Sequence, residues 1–390
     1  MLKKVLCCLL SAALLALAPL PAFAQEEAAV SSNEAVTDEV GLAAPSALLM
    51  DFSTGKTLYE KNSHERRPCA SITKVMTLCL VFEAIESGKL SYDDVITTSP
   101  MAAAQDGSDI WLVEGEQMTV DDLVKAVVVV SANDAAVALA EAVCGTEEAF
   151  VAKMNEKAKL LGMNDTEFKN CNGLDEEGHL TSAYDVALMS RELMKHNKIF
   201  EYTSIWLDYI RDGATQLVNT NRLLKSYDGI TGLKTGTTSL AGACISATAQ
   251  RGEMSLIAVV LGDKTTDERF TDASRLLDYG FGSFCSVSPE VPEDLPETIA
   301  VEGGMESEVV LRCAPDSAFL LKNGAQENVT CELHLTETAQ APVTEGQRLG
   351  STVYKCGGET LGEFPVTAAT TVERINFADV MALLFRAFVS

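Results

Sequence analysis

The central stretch of this chain reads Ser71-Ile72-Thr73-Lys74-Val75-Met76-Thr77-Leu78-Cys79-Leu80-Val81-Phe82-Glu83-Ala84-Ile85. It is largely apolar after Lys74 and runs into Ser87-Gly88, so it predicts a buried helix that ends at a glycine. Ser71 and Lys74 occupy positions i and i+3 of its first turn, which places the hydroxyl and the amine on one face. The positive end of the helix and partial burial favour a neutral lysine, which can take the proton of a serine nucleophile.

A second Ser-x-x-Lys pattern, Ser53-Thr54-Gly55-Lys56, has a different interpretation. It lies between two short apolar runs, Ala47 to Met50 and Thr57 to Tyr59. Ser, Thr and Gly between such runs are typical of the bend of a hairpin. We therefore predict a turn at Ser53 and a candidate nucleophile at Ser71.

A polar triplet, Ser131-Ala132-Asn133, separates two predicted helices. The first begins with a capping-box pattern at Thr119 and Asp122, and the second has an apolar run at 135–140 that stops near Gly145. Such a triplet is either the N-cap of the second helix or part of a functional site, and the two roles are compatible.

The triplet Lys234-Thr235-Gly236 precedes two apolar runs, at 244–249 and 255–261. These runs predict two strands joined at Arg251-Gly252, so Lys234 is expected on a strand of an antiparallel sheet. Glycine beside a cation lets the backbone of a ligand come close. An extended peptide along this strand would have its carboxylate near Lys234. Taken alone, the triplet is typical of a turn with an exposed lysine.

In this order the three motifs resemble those of the penicillin-binding catalytic domain, and more narrowly those of the low-molecular-mass D-alanyl-D-alanine carboxypeptidases. The likeness spans roughly residues 43 to 283 and includes the sequence around the motifs. The similar segments are Arg67 to Thr77, Phe168 to Leu174 with His179, Thr181-Ser182-Ala183 and Asp185, then Asp228 to Thr238 with Ala241-Gly242, and Arg269-Phe270 with Tyr279-Gly280-Phe281. The resemblance implies an α/β fold, an antiparallel sheet with helices and a helical subdomain, followed by a small all-β domain.

The resemblance also implies a role for each motif residue. Ser71 would be the nucleophile, Lys74 its general base and Ser131 the proton relay. Asn133 would hold the acyl-side amide of the substrate, and Lys234 would bind its terminal carboxylate, with Thr235 and Gly236 beside it. The backbone N–H groups of Ser71 and Thr237 would form the oxyanion hole. Arg269 would make a second contact to the carboxylate. A surface arginine that opens a helix is the alternative for Arg269.

Two positions depart from the family pattern. Ala132 stands where the family usually has glycine, a small change that we expect to be tolerated. Thr237 stands where the family often has histidine, but an oxyanion contact from the main chain does not depend on the side chain.

The sequence outside the motifs predicts an exported protein of several parts. Residues 1–24 predict a secretory signal peptide, in which Lys3-Lys4 is followed by an apolar run and then by Ala22-Phe23-Ala24. An acidic linker at 25–42 would lead to the catalytic domain at 43–285. Short apolar alternations between Pro and Gly breaks predict an all-β domain at 286–370. Residues 374–390 predict an amphipathic helix that is too short to span a bilayer and either packs on the β domain or binds a membrane surface. The resemblance implies membrane binding, because related carboxypeptidases carry an amphipathic membrane-binding tail.

Composition limits the partners. A formal net charge of -26 argues against nucleic-acid binding, because phosphate contacts need clustered Lys and Arg. Nine cysteines follow the predicted signal peptide, an odd number without paired spacing, which argues against a disulfide framework and a zinc site. We expect neither a metal nor an organic cofactor.

The sequence thus predicts an exported serine D-Ala-D-Ala carboxypeptidase at the extracytoplasmic face of the bacterial membrane. It would act on peptidoglycan stem pentapeptides and be acylated by penicillins at Ser71. A serine β-lactamase is one alternative, although no Glu-x-x-Leu-Asn sequence lies between Asn133 and Lys234. A non-catalytic penicillin-binding wall module is another. A Ser-His-Asp triad that uses His179 also stays open, but a lysine base accounts for more residues.

Overall fold

The structure is a computed structural model that describes residues 40–389. The predicted signal peptide and most of the acidic linker lie outside the described residues. The strands are β1 Ser46–Asp51, β2 Thr57–Lys61, β3 Val95–Thr97, β4 Gln117–Thr119, β5 Leu207–Ile210, β6 Thr215–Val218, β7 Ile230–Thr238, β8 Gly242–Arg251, β9 Met254–Asp263, β10 Phe284–Val287, β11 Thr298–Glu302, β12 Glu308–Cys313, β13 Phe319–Lys322, β14 Val329–Leu335, β15 Thr338–Gln340, β16 Arg348–Cys356 and β17 Glu359–Ala368. The helices are α1 Lys74–Glu86, α2 Pro100–Ala103, α3 Val120–Val129, α4 Asn133–Cys144, α5 Glu147–Leu160, α6 Ala183–Leu193, α7 Ile199–Thr203, α8 Leu223–Ser226, α9 Thr266–Ser283 and α10 Phe377–Val389.

A five-stranded antiparallel sheet, in the order β2-β1-β9-β8-β7, forms the centre of the first part of the molecule. Strand β1 shows why this sheet is buried on both faces. Ala47 and Leu49 pack into one core with residues of α9, whereas Leu48 and Met50 pack into a second core with residues of α1 and α6. Because successive side chains of a strand point to opposite faces, the apolar run of β1 fills both cores.

The two Ser-x-x-Lys patterns have the local structures predicted for them. Residues 53–56 form the connection between β1 and β2, which pair as a hairpin. Ser71 lies in a 3₁₀ turn, Ala70–Thr73, that leads into α1, and Ser87 caps that helix before Gly88. The predicted cap of α3 is also confirmed, because Thr119 accepts a hydrogen bond from Asp122 N. Strands β8 and β9 are longer than the apolar runs that predicted them.

Strands dominate the chain between β10 and β17. Six of them form a sheet in the order β14-β16-β17-β12-β11-β15, in which all pairs are antiparallel except β11 with β15. Strand β10 pairs with β13 in a separate two-stranded sheet. One small core contains Phe319, Tyr354 and Phe364, and a second contains Val309 and Val343. The fold is thus an α/β part with an antiparallel sheet and helices, followed by an all-β part, as the sequence predicted.

Helix α10 follows the β-rich part. Several of its apolar side chains are exposed, among them Phe377, Met381, Leu384 and Phe385. Within residues 40–389, none of the helices has the length and apolar character needed to cross a membrane.

Candidate active site

The candidate nucleophile, Ser71, lies on a strained turn that a neighbouring segment holds in place. Ala70, directly before Ser71, has a φ of 51°, in the left-handed region that residues other than glycine rarely adopt. A Cβ built on Gly173 would lie 2.0 Å from the Ala70 carbonyl oxygen, so only glycine fits there. The segment around Gly173 therefore packs directly on the turn and fixes its unusual backbone.

Lys74 is buried, and its amine contacts three oxygen atoms. Nζ lies 2.9 Å from Ser71 Oγ, 2.5 Å from Asn133 Oδ1 and 2.6 Å from the carbonyl oxygen of Asn172. Asn133 Nδ2 in turn donates to the carbonyl of Asp106 at 2.6 Å, which is consistent with the amide oxygen facing the lysine. The amine is thus held between the nucleophile and two fixed acceptors.

These contacts suit the amine to the role of a base. Burial lowers the pKa of Lys74 to about 7, so a large share of the side chain is neutral near neutral pH. A neutral amine has two N–H groups and one lone pair. Asn133 Oδ1 and the Asn172 carbonyl can only accept hydrogen bonds, so they take the N–H groups and leave the lone pair for the hydroxyl of Ser71. This arrangement suits a general base within hydrogen-bond reach of its proton donor.

The second motif belongs to the site and does not cap a helix. Helix α4 begins at Asn133 without a side-chain cap, so the N-cap interpretation of the triplet is wrong. Ser131 has a φ of 64° and is buried, and its hydroxyl has no hydrogen-bond partner among the described residues. A buried, unpartnered hydroxyl is unusual and calls for a ligand or a water molecule as partner.

Strand β7 packs against the nucleophile turn. A Cβ built on Gly236 would lie 2.9 Å from Ser71 N and 2.7 Å from the carbonyl oxygen of Cys69, so a side chain here would displace the turn. On the same strand Lys234 is buried, and its Nζ donates to the Thr235 carbonyl at 3.0 Å. Burial, with the nearby charges of Lys74 and Arg269, holds the pKa of Lys234 well below its usual range. Lys234 is therefore on a strand, and the interpretation of its motif as an exposed turn is wrong.

Arg269 is part of this assembly, although it lies on α9. Its side chain is buried, so the interpretation as a surface residue is wrong. Nη1 donates to the Gly236 carbonyl at 3.0 Å, to Thr237 Oγ1 at 2.7 Å and to the Cys244 carbonyl at 3.4 Å. The guanidinium therefore binds the end of β7 that follows Lys234 and connects it to β8.

His179 is not in contact with the nucleophile. Its Nδ1 accepts a hydrogen bond from Lys169 N at 3.1 Å, so Nε2 carries the proton and donates to Thr73 Oγ1 at 2.8 Å. Burial lowers the pKa of His179 to about 4. Ser71 and His179 therefore do not form a triad. The histidine instead binds Thr73, in the turn that carries Ser71.

Sequence reasoning missed three backbone contributions to the site. The carbonyl groups of Asn172 and Asp106 hold Lys74 and Asn133, and Gly173 makes room for Ala70. The stretch Asn170-Cys171-Asn172-Gly173 gave a signal, because it lies in the segment Phe168 to Leu174 that was part of the resemblance. Backbone carbonyl contacts have no side-chain signature, however, and only the fold brings them together.

Similarity to known proteins agrees with this geometry. Residues 32–265 match peptidase S11, described as D-alanyl-D-alanine carboxypeptidase, and residues 290–374 match the C-terminal domain of penicillin-binding protein 5. The chain belongs to the peptidase S11 family. Accordingly, it is a serine-type D-Ala-D-Ala carboxypeptidase with a penicillin-binding fold. Enzymes of this family act on the cell wall, outside the cytoplasm.

Individual relatives span most of both chains. The D-alanyl-D-alanine carboxypeptidase DacF of Bacillus subtilis is 42% identical over 345 residues, which cover 87% of this chain and 89% of the relative. Penicillin-binding protein 5 of Haemophilus influenzae has a similar structure, with a TM-score of 0.71, 30% identity and coverage of 85% of this chain and 98% of that chain. Penicillin-binding protein D2 of Listeria monocytogenes, solved in an ampicillin-bound form, has a TM-score of 0.57, 35% identity and coverage of 62% and 98%.

Proposed function

We propose that this carboxypeptidase removes the terminal D-alanine from peptidoglycan stem pentapeptides through an acyl-enzyme on Ser71. The observation that carries the proposal is the position of the Lys74 amine, 2.9 Å from Ser71 Oγ and held by two carbonyl-type acceptors. A hydroxyl nucleophile paired with a pre-oriented neutral amine is suited to acyl transfer. Members of the family named as D-alanyl-D-alanine carboxypeptidases support the choice of substrate.

Acylation follows from this arrangement. Ser71 Oγ attacks the carbonyl carbon between the two D-alanines, and its proton passes to Lys74 Nζ. The negative charge that forms on the carbonyl oxygen is stabilised by the N–H groups of Ser71 and Thr237, a type of contact worth about a hundredfold or more in rate. The C–N bond then breaks, and the leaving amine takes the proton from Lys74 through the hydroxyl of Ser131. Free D-alanine departs and the peptide stays on Ser71 as an ester.

Deacylation uses the same groups in the reverse direction. Lys74, neutral again, takes a proton from a water molecule, which attacks the ester carbonyl. The C–O bond to Ser71 then breaks, Lys74 returns the proton to Ser71 Oγ, and the shortened peptide leaves. During acylation Lys234 binds the terminal carboxylate of the leaving residue, supported by the backbone of Thr235 and Gly236. Asn133 holds the acyl-side amide during both steps. Arg269 contributes to the carboxylate site through Thr237, whose hydroxyl it orients.

β-Lactams are proposed to acylate the same serine. Their carboxylate would occupy the position next to Lys234, and their strained amide would be opened by Ser71. The ampicillin-bound structure of a similar penicillin-binding protein supports this proposal. Acylation without fast hydrolysis would make the compounds inhibitors.

We also propose that the enzyme is exported through its signal peptide and bound to the extracytoplasmic membrane surface by α10. The exposed apolar side chains of that helix support the second part of the proposal. A helix of this kind lies in the interface and does not cross the bilayer.

One assay with matched variants tests the proposed activity. Release of D-alanine from a D-Ala-D-Ala-terminated pentapeptide is measured beside β-lactam hydrolysis and labelling by a fluorescent penicillin. We expect the wild type to release D-alanine, to hydrolyse β-lactams poorly and to be labelled. Ser71→Ala should abolish release and labelling, whereas Ser53→Ala, in the other Ser-x-x-Lys pattern, should leave both unchanged. Fast β-lactam turnover without D-alanine release would indicate a β-lactamase, and labelling of the Ser71→Ala protein would refute the nucleophile.

A further inference from the structure

A side chain outside the three motifs, that of Gln105, binds the segment that holds Lys74. Gln105 lies in the loop after α2 and is half-buried. Its Oε1 accepts a hydrogen bond from Asn172 Nδ2 at 2.7 Å, and its Nε2 donates to the carbonyl oxygen of Met101 at 3.1 Å. The backbone carbonyl of Asn172 is in turn an acceptor for Lys74 Nζ, at 2.6 Å. A single residue therefore connects Gln105 to the candidate base.

Backbone groups at both ends fix the direction of these hydrogen bonds. The N–H of Leu174 can only donate, and it lies 3.1 Å from Asn172 Oδ1, so the amide nitrogen of Asn172 faces Gln105. The carbonyl of Met101 can only accept, so the amide oxygen of Gln105 faces Asn172. Asn172 is buried, and loss of Gln105 would leave its N–H group without this acceptor.

The same loop also holds the second acceptor of the Lys74 amine. The carbonyl oxygen of Asp106 accepts a hydrogen bond from Asn133 Nδ2 at 2.6 Å, and that of Ser108 accepts one from Asn133 N at 2.6 Å. Loop 105–108 therefore contacts both of the residues whose oxygens take the N–H groups of the amine. Gln105 is the residue of this loop whose side chain makes such a contact, so a substitution can test it.

We propose that Gln105 is a positioning residue that acts through Asn172 on the Lys74 amine. Its hydrogen bond fixes the side chain of Asn172, and with it the backbone carbonyl of the same residue, where that carbonyl takes one N–H group of the amine. The lone pair then stays directed at the hydroxyl of Ser71. This role rests on the function of Lys74 as the base, which is part of the function proposed above.

Gln105→Leu removes both hydrogen-bonding groups and keeps a side chain of similar size. Asn172 Nδ2 would then be buried without its acceptor, and the segment would shift to satisfy it. A shifted carbonyl holds the amine less well. We therefore expect acylation by an uncharged ester to fall by about ten- to a hundredfold, a part of the roughly hundred- to ten-thousandfold that a general base supplies. A lost acceptor also disfavours the ammonium form, so the midpoint of the rise in rate should move below its value near pH 7.

The titratable groups around Lys74 belong to several elements and are the same in this variant. Cys69, Cys171 and Asp134 favour the ammonium form, and Lys234 of β7 acts on it as a like charge. Burial raises the pKa of both thiols, to about 11 for Cys69, so neither titrates near neutral pH. Because none of these groups is substituted, a difference between wild type and variant at one pH reports on the contact that was removed.

A double-mutant cycle tests whether the effect passes through Asn172. Acylation by an uncharged ester is measured by stopped flow, from about pH 5.5 to 8.5, for the wild type, Gln105→Leu, Asn172→Ala and the double variant. Asn172→Ala keeps the backbone carbonyl but removes the side chain that Gln105 binds. We therefore expect Gln105→Leu to change the rate by less than about twofold when it is added to Asn172→Ala. Two effects that simply multiply would overturn the proposal.

Gln105→Glu and Gln117→Leu are the matched controls. The glutamate keeps an oxygen that can accept from Asn172 Nδ2, so most of the plateau rate should return, and its negative charge should raise the pKa of Lys74 and the midpoint. Gln117→Leu removes an exposed amide of β4 that donates to Thr97 Oγ1 at 3.3 Å, and should leave rate and midpoint unchanged. A glutamate variant as slow as Gln105→Leu would show that the hydrogen bond to Asn172 is not what matters.

The same measurements separate this proposal from the one on which it rests. If acylation of the wild type does not rise with pH, the role of Lys74 as the base is contradicted. If the wild type shows the rise and Gln105→Leu has the same rate and midpoint, the base role stands and the role of Gln105 is overturned. Counting active sites with a fluorescent penicillin completes the test, because a purely structural defect would lower their number and leave the rate at each site unchanged.

Discussion

At the scale of single residues, the proposed mechanism depends on the protonation state of Lys74. The side chain acts as a base only when neutral, and burial lowers its pKa to about 7. We therefore expect the rate of acylation by an uncharged ester to rise as the pH increases from 5.5, with a midpoint near 7, and to level off above pH 8. Stopped-flow measurement of acylation across this range is the test.

Lys74→Arg is the informative variant for this prediction. Arginine keeps the positive charge but is not deprotonated in proteins, so acylation should fall by about a thousandfold or more and lose its rise near pH 7. Labelling of Ser71 that stays fast and pH-independent in this variant would rule out the lysine as the base. Circular dichroism of the variant would show whether the fold is kept.

At the scale of elements, the site depends on the close approach of β7 to the nucleophile turn. We expect Gly236→Ala to lower acylation by about a hundredfold or more, because a Cβ would lie 2.9 Å from Ser71 N and push the strand away from the oxyanion hole. The measurement is kcat/KM for the pentapeptide. Gly282→Ala is the control, because a Cβ on this α9 glycine meets no atom within 4 Å. Equal activities of the two variants would show that the contact is not needed.

The elements also show how much the sequence could predict. The helix after Ser71, the cap at Thr119 and the strand that carries Lys234 follow from local patterns of polarity and turn residues. The N-cap reading of Ser131-Ala132-Asn133 failed because the tertiary contact of Asn133 with Lys74 overrides the local preference. Arg269 could be placed at the start of a helix, but its burial depends on how α9 packs on β8, which no local pattern records.

At the scale of the whole molecule, the catalytic groups and the exposed apolar helix belong to different parts of the chain. The site is built from the turn before α1, the loop before α4 and strand β7, whereas α10 follows the β-rich part. The backbone of Ile375 donates to Gly303, which connects the start of the C-terminal segment to that part. Removing α10 after this contact should therefore leave the catalytic groups undisturbed.

This separation leads to a prediction about location. Phe377 and Phe385 of α10 are 80% and 73% exposed, which is costly in water and favourable at a lipid interface. Deleting residues 377–390 retains Ile375 and should move the mature protein from the membrane to the soluble fraction, with penicillin acylation unchanged. Full-length protein with Phe377→Ser and Phe385→Ser should shift in the same direction, whereas Leu160→Ser, at an exposed leucine of α5, should not. If the truncated protein still sediments with membranes, another segment holds the enzyme there.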